Sequence, residues 1–433
     1  MPIPERLYTL ALHAARPLLP LLSRGEGKLA RGIRGRSGVL RRMEAWARAH
    51  REPQQPLVWF HAPSVGEGFQ ARAVIEALRR RRPDLQIVYS YFSPSAEGFA
   101  RSVPADLTDY LPLDLPAEVE RALALLRPEV IASTKTEVWP NLAAAAQRRG
   151  VRLALLSATL PLGSSRLSRA ARPFLLPAFR RLDRLAAISA ADAERFGVLG
   201  VSPERRLVMG DARFDQVWKR AEGVDRDSAL LRPLHAAARV TLVAGSTWPP
   251  DEERLIPALK RACEGAVPFR LILVPHEPTP DHLTRTEALL KRHGLYSRRL
   301  GELNGGALKA EVLLVDRVGV LGELYALADV GYVGGGFGTA GLHSVLEPAA
   351  FGVPVLFGPR HGNAREAAEL IASGGGFAVA DERELRERLA LLLRDEGERL
   401  RTGAAARAYV EAGLGAAERG AQVVEELLEG IES

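Results

Sequence analysis

The chain has 433 residues, 47% of them hydrophobic and 26% charged, a balance that excludes a disordered chain and a polytopic membrane protein. A single cysteine, Cys263, excludes an intramolecular disulfide and any multi-cysteine metal site. The net charge of +7 is unevenly placed: residues 1–51 hold eleven Arg and Lys against three Glu, which is +8, so the remainder is close to neutral.

The basic segment contains Leu7–Leu22, which is apolar but sixteen residues long and interrupted by His13, Arg16, Pro17 and Pro20. A spanning helix needs about 20 apolar residues, and no small-residue cleavage site follows. Two readings stand, a packed N-terminal helix and an interfacial segment flanked by Arg. The charge points to an anionic partner: membrane surface, phosphorylated lipid or nucleic acid.

From residue 57, apolar strand-like runs alternate with helical ones. Leu57–His61, Gln86–Phe92, Val130–Ser133, Val151–Ser157, Arg184–Ser189 and Arg206–Met209 read as strands. Glu67–Arg82, Ala117–Leu126, Leu142–Arg149 and Ala190–Leu199 read as helices between them. Asp215–Arg239 is charged and irregular, and reads as a hinge. The alternation then restarts, with strands at Val240–Ala244, Phe269–Pro275, Val312–Asp316, Val330–Val333 and Pro354–Phe357. Helices are expected at Asp251–Cys263, Asp281–His293, Gly322–Leu327 and Leu346–Ala350, and an amphipathic helical run at Glu382–Glu432. Such alternation is the signature of parallel sheets covered on both faces. The expected architecture is α/β, with two Rossmann-like domains facing across a cleft: a basic segment 1–56, a domain 57–215 and a domain 216–433. Ligands in such sheets bind outside the carboxyl ends of the strands.

Three constellations carry chemistry. In the first, His61-Ala62-Pro63-Ser64-Val65-Gly66-Glu67, a strand ends and a carboxylate enters the first turn of a helix. Glu67 is then either a favourable charge at the positive end of the dipole or a general base. The second, Lys135-Thr136-Glu137-Val138-Trp139-Pro140-Asn141, sets a cation and a carboxylate on a strand-to-helix loop, and equally suits a plain helix start with Pro140 in its first turn. The third is glycine-rich, Val333–His343 with Gly335 and Gly336, and runs into Ser344-Val345-Leu346-Glu347-Pro348. Its amides suit a phosphate or simply a tight turn, and Glu347 suits a ribose diol. It is not a dinucleotide fingerprint, because it lies late in the chain and no ribose-binding acid follows at the right spacing. Pro354–Asn363, a strand and a Gly/Pro-rich loop, comes next.

Taken in order, these segments resemble the 3-deoxy-D-manno-octulosonic acid (Kdo) transferases of lipopolysaccharide synthesis. Ser64–Glu67 matches that family's SVGE motif, and Thr136–Asn141 part of its ETELWPN motif. Gly210–Asp215 is similar to its GNLKFD-type segment, Ala244–Thr247 with Glu252 and Glu253 to its AGSTH-type strand end, and Leu271–Glu277 to LILVPRH. Gly322-Glu323-Leu324 matches a GEL segment. The glycine loop, LEPAA, PVLFGP and Asn363 match the C-terminal signature. Three positions depart: His276 stands where many members have Arg, Ser344 for Asn and Lys135 for Glu. The family's N-terminal anchor is degraded here by Arg16 and the two prolines.

The resemblance implies a GT-B glycosyltransferase that moves Kdo from CMP-Kdo to a tetra-acylated lipid A precursor, inverting the anomeric centre, with no metal and no cofactor. It implies Glu67 as the base. It places CMP at Pro275 and His276, at Gly322–Leu324, and at Ser344–Glu347, with Ser64, Gly66, Lys135, Glu137, Gly335, Gly336, His343 and Asn363 as further binding residues. With a lipid acceptor, the short apolar stretch Leu7–Leu22 and the clustered Arg of residues 24–42 predict peripheral attachment to the anionic cytoplasmic face of the inner membrane, and no nucleic-acid partner is expected. Two competing readings are another nucleotide-sugar enzyme of this fold, such as a lipid A disaccharide synthase, and a non-catalytic basic protein bound to membrane or nucleic acid.

Overall fold

The structure, a computed structural model, describes residues 3–235, 239–264, 268–303 and 310–432. The chain divides into two compact units. One comprises Met1–Gln216 with Leu414–Ser433, the other Val217–Gly413.

The first unit is built on seven strands: β1 (Leu57–Ala62), β2 (Gln86–Tyr91), β3 (Leu107–Tyr110), β4 (Val130–Thr134), β5 (Arg152–Ala158), β6 (Arg184–Ala187) and β7 (Arg206–Val208). Their order is β3-β2-β1-β4-β5-β6-β7, all parallel. The central strands are buried along their whole length, Trp59, Phe60, Val88, Tyr89, Ile131 and Leu155 among them, as a sheet covered on both faces requires. The basic N-terminus folds into helices Ile3–Ala15, Lys28–Arg36 and Val39–His50 that belong to this unit. Arg42 ties the third of them to β3 through a two-pronged pair with Asp109, 2.7 Å on each prong.

The second unit repeats the plan with β8 (Val240–Thr247), β9 (Phe269–Pro275), β10 (Ser297–Arg299), β11 (Val312–Leu314), β12 (Val330–Val333), β13 (Val355–Phe357) and β14 (Gly376–Ala378). Its order is β10-β11-β9-β8-β12-β13-β14, again all parallel.

Three strands were absent from the sequence reading: β3, β10 and β14. All are short, lie at sheet edges and carry polar residues or glycine, so they lack the apolar run that marks a buried strand. The segment read as an irregular hinge is in part a regular helix, Arg213–Glu222, and the division between the units falls inside it; residues 236–238 of that segment lie outside the described residues. The last helix, Ala416–Glu432, belongs to the first unit rather than to the domain 216–433 in which its sequence position put it. The reason is apolar: Ala421, Val424 and Leu428 enter the core of the first sheet as the helix packs on Val65–Arg81. Ion pairs Arg80–Glu418 at 2.6 Å and Arg81–Glu425 at 2.5 Å edge that contact.

Candidate active site

In an open parallel sheet the crevice for a ligand opens where the strand order reverses, at the carboxyl ends of the strands. In the first unit that point lies between β1 and β4, and in the second between β8 and β12. The three sequence constellations follow β1, β4 and β12.

In the first unit, Ser64 precedes the helix Val65–Arg81 and Glu67 enters its first turn. The Ser64 hydroxyl donates to Oε2 of Glu67, and Nζ of Lys135 lies 2.7 Å from Oε1. Burial pushes the Glu67 carboxyl up, but the Lys135 charge and the two hydrogen bonds outweigh it and hold the group below the usual carboxylate range. Lys135 reaches this place from a left-handed backbone, φ 63°, unusual for a residue with a side chain. Glu137 is raised by burial and faces Arg166 at 3.4 Å. Gly66, the second residue of that helix, is exposed. His61, at the end of β1, is fully buried, held by Ser90 at Nδ1 and lowered by burial to about 3, so it stays neutral.

In the second unit, the glycine loop is pinned from within. The buried carboxylate of Asp251 accepts from the amides of Trp248 (3.0 Å), Gly335 (2.9 Å) and Phe337 (3.4 Å) and from the Tyr332 hydroxyl (3.0 Å). Asn363 clamps the loop's far side, with both side-chain ends on the Leu342 backbone. Gly335 has φ 96°, and a Cβ there would overlap the Gly341 carbonyl; one on Gly336 would lie 2.6 Å from the Gly358 nitrogen. These glycines are therefore required by backbone packing, and the Gly335 amide points into the protein. Beside the loop, His276 follows Pro275 at the end of β9 and stacks on His343 at 4.2 Å. The Trp248 indole donates to Nε2 of His343 at 3.2 Å, which puts the His343 proton on Nδ1. Burial, then the neighbouring His276, lower His343 to about 4, so it is neutral at pH 7. Glu347, raised by burial against the opposing charge of Arg220, pairs with Arg220 Nη1 at 3.2 Å. Gly322 packs against the same guanidinium.

With this geometry in place, similarity to known proteins identifies the family. A family profile described as 3-Deoxy-D-manno-octulosonic-acid transferase (kdotransferase) matches residues 36–216. A 3-deoxy-D-manno-octulosonic acid transferase of Bordetella pertussis is 32% identical over 98% of this chain and 99% of its own length. The chain belongs to the Kdo transferase family. It is thus an enzyme, a glycosyltransferase. A relative of the same name from Aquifex aeolicus (strain VF5) is 27% identical over 78% of this chain and 86% of its own. Among solved structures, the UDP-GlcNAc 2-epimerase of Neisseria meningitidis bound to UDP-GlcNAc has a TM-score of 0.62 at 12% identity, covering 86% of this chain and all of that one. At that identity the likeness speaks for the shared GT-B-type fold alone.

In this Kdo transferase the residues named from sequence fall into two groups. Ser64, Glu67 and Lys135 are in contact, with Gly66 and Glu137 beside them. His276, His343 and Glu347 stand around the glycine loop with Ser344. Leu324, Val345 and Leu346 are core residues, fully buried, so their side chains anchor elements rather than meet a ligand; Glu323 is half-buried. Sequence reasoning missed Asp251, Trp248, Arg220 and Arg166. Asp251 was legible as the third residue of a helix opening Trp248-Pro249-Pro250, where a carboxylate reaches back to the first amide. Arg220 was hidden by the hinge reading, although Phe214, Val217 and Trp218 mark one apolar face. Among the described residues no cluster of three His, Cys, Asp or Glu suits a metal ion, and no helix is long and apolar enough to cross a membrane.

Proposed function

We propose that the enzyme transfers Kdo from CMP-Kdo to a phosphorylated, tetra-acylated lipid A precursor by a single inverting displacement, with Glu67 as general base. One observation carries this reading: an ionised carboxylate at the strand end of the sheet's reversal point, held on one oxygen by Ser64 and on the other by Lys135. An acceptor hydroxyl that takes the place of either partner gives its proton to Glu67 as its oxygen bonds to the anomeric carbon. The bond from that carbon to the phosphate breaks, and its electron pair leaves with CMP. CMP departs as a stable monophosphate anion, so the charge balance calls for no divalent ion.

The nucleotide side of the reading falls to the second unit. Glu347, fixed by Arg220, is the acceptor for the ribose diol. Neutral His343 offers its Nδ1 proton, and His276 its ring, to the anionic part of the donor, with Pro275, Gly322, Glu323 and Ser344 framing the loop ends. Membrane attachment draws support from helix Ile3–Ala15, which is amphipathic in the inverse sense. Its polar side faces the protein: buried Glu5 pairs with Arg181, and Thr9 donates to Asn141 at 2.9 Å. Ile3, Leu7 and Leu10 are exposed, as are Leu18, Leu21 and Leu22 beyond it. An apolar exposed row beside a +8 segment suits the interface of an anionic leaflet, here the cytoplasmic face of the inner membrane.

The test is Glu67→Gln, which keeps shape and removes the base. Transfer should fall by about 10²-fold or more, with CMP affinity unchanged by calorimetry. Turnover near that of the wild type would show that the base lies elsewhere.

A further inference from the structure

A cavity of about 880 Å³ opens among the N-terminal helices of the first unit, within the span of about 300–1,000 Å³ typical of small-ligand sites. Its walls are mainly apolar, from Leu19, Pro20, Ile33, Leu40, Phe92 and Leu113. Most of its cations are not neutralised from within. Glu118, the carboxylate on the lining, faces Arg16 at 3.8 Å, whereas among the described residues Lys28, Arg36 and Arg41 touch no carboxylate. Arg36 lies over the Phe92 ring at 3.8 Å and donates to the carbonyls of Gly32 (2.9 Å) and Phe92 (2.6 Å). Its Nε is buried without a partner. A guanidinium in apolar surroundings with no counter-charge is unfavourable unless an anion joins it, so this space suits an anionic amphiphile.

Position selects which one. The amides of Phe92 and Ser93 both donate to the carbonyl of Pro63, at 3.2 and 2.8 Å, one residue before Ser64 in the loop that carries Glu67. Phe92 also stacks on Trp139 at 5.3 Å, in the loop of Lys135 and Glu137. The cavity wall is therefore built onto the loops that hold the proposed base. We propose that this cavity takes an acyl chain of the phosphorylated glycolipid acceptor, with Lys28, Arg36 and Arg41 turned to its phosphate. The inference rests on the lipid-acceptor reading above and adds the site that selects for chain length.

The experiment measures Kdo transfer from CMP-Kdo, in detergent micelles, to the tetra-acylated precursor and to the same disaccharide bisphosphate with shortened chains. The wild type should show a KM at least ten-fold lower for the long chains, since each buried methylene is worth about four-fold in affinity. Ile33→Trp sets a bulkier side chain on the cavity wall and should weaken that preference several-fold, leaving the KM for CMP-Kdo, transfer to the short-chain acceptor and binding to anionic vesicles as in the wild type. Equal KM values for the two acceptors in the wild type would overturn the proposal, and that comparison needs no variant to fold. So would an Ile33→Trp enzyme that keeps the preference, or one that loses vesicle binding instead. Absence of transfer to either acceptor by the wild type would remove the transferase reading, and the cavity assignment with it.

Discussion

At Glu67 burial and charge act in opposite senses, and the charge of Lys135 decides the outcome. The lysine is held there by its backbone, its amide on the Leu156 carbonyl at 3.0 Å, in spite of a conformation that costs about 1–3 kcal/mol. Such strain at a strand end is kept where neighbouring structure over-determines it. Lys135→Met removes the charge and one of the hydrogen bonds that oppose burial at Glu67, leaving Ser64, and raises its pKa. The acid limb of the pH–kcat/KM profile should then move to higher pH, and an unmoved limb would show that Lys135 does not set the charge. The sign for stability is the same: a carboxyl depressed in the folded state contributes above its ordinary range, and the contribution is lost as pH falls through its folded value. At Glu347 the expectation concerns binding. Glu347→Ala removes the acceptor for a diol, and CMP affinity by calorimetry should drop about ten-fold or more, as for a hydrogen bond to a charged group. Unchanged affinity would move the nucleotide site elsewhere.

The glycine loop is an element whose shape is set by one buried carboxylate and by close backbone approach. Gly335→Ala puts a Cβ against the Gly341 carbonyl at a left-handed φ, so it should lower Tm by several degrees, at about 2–4 °C per kcal/mol for a unit of this size, and weaken CMP binding by displacing the loop. A variant with wild-type Tm would mean the loop is less constrained than its packing implies. The sequence left the loop's amides to a phosphate or to a tight turn; the Gly335 amide is given to Asp251, so a substitution here acts through backbone packing. The central strands were legible because both faces are buried and their apolar runs are continuous, as in Leu57–Ala62 and Phe269–Pro275. The strands β3, β10 and β14 were not, since three or four residues at an edge need no apolar pattern. The loops of Glu67 and Lys135 were legible as strand ends carrying charge. Asp251 shows locally as a carboxylate in the first turn of its helix and Arg220 as part of an amphipathic run, but their distant partners, Gly335 eighty-four positions on and Glu347, leave no trace in local periodicity. The run Glu382–Glu432 was legible as helical, but it is three helices, Glu382–Arg394, Glu396–Ala412 and Ala416–Glu432, and what the apolar face of the last one meets is a tertiary fact.

For the whole molecule, charge and apolar exposure coincide at one end of the chain. The +8 of residues 1–51 and the exposed leucines of the first helices predict reversible binding to anionic vesicles, with each Arg near the surface adding about 1 kcal/mol. Co-sedimentation should weaken as salt rises through screening; binding to neutral vesicles that survives high salt would argue for insertion against this electrostatic account. The central claim, that the enzyme carries Kdo to a lipid acceptor with Glu67 as base, is tested most directly by mass. The protein is incubated with CMP-Kdo generated in situ and the tetra-acylated precursor, with excess EDTA added once the donor has formed, and the lipid products are weighed for the wild type and for Glu67→Gln. The account predicts precursor bearing added Kdo from the wild type, and at least about a hundred-fold less from Glu67→Gln. A precursor that gains no Kdo, or equal yields from the two proteins, would contradict it.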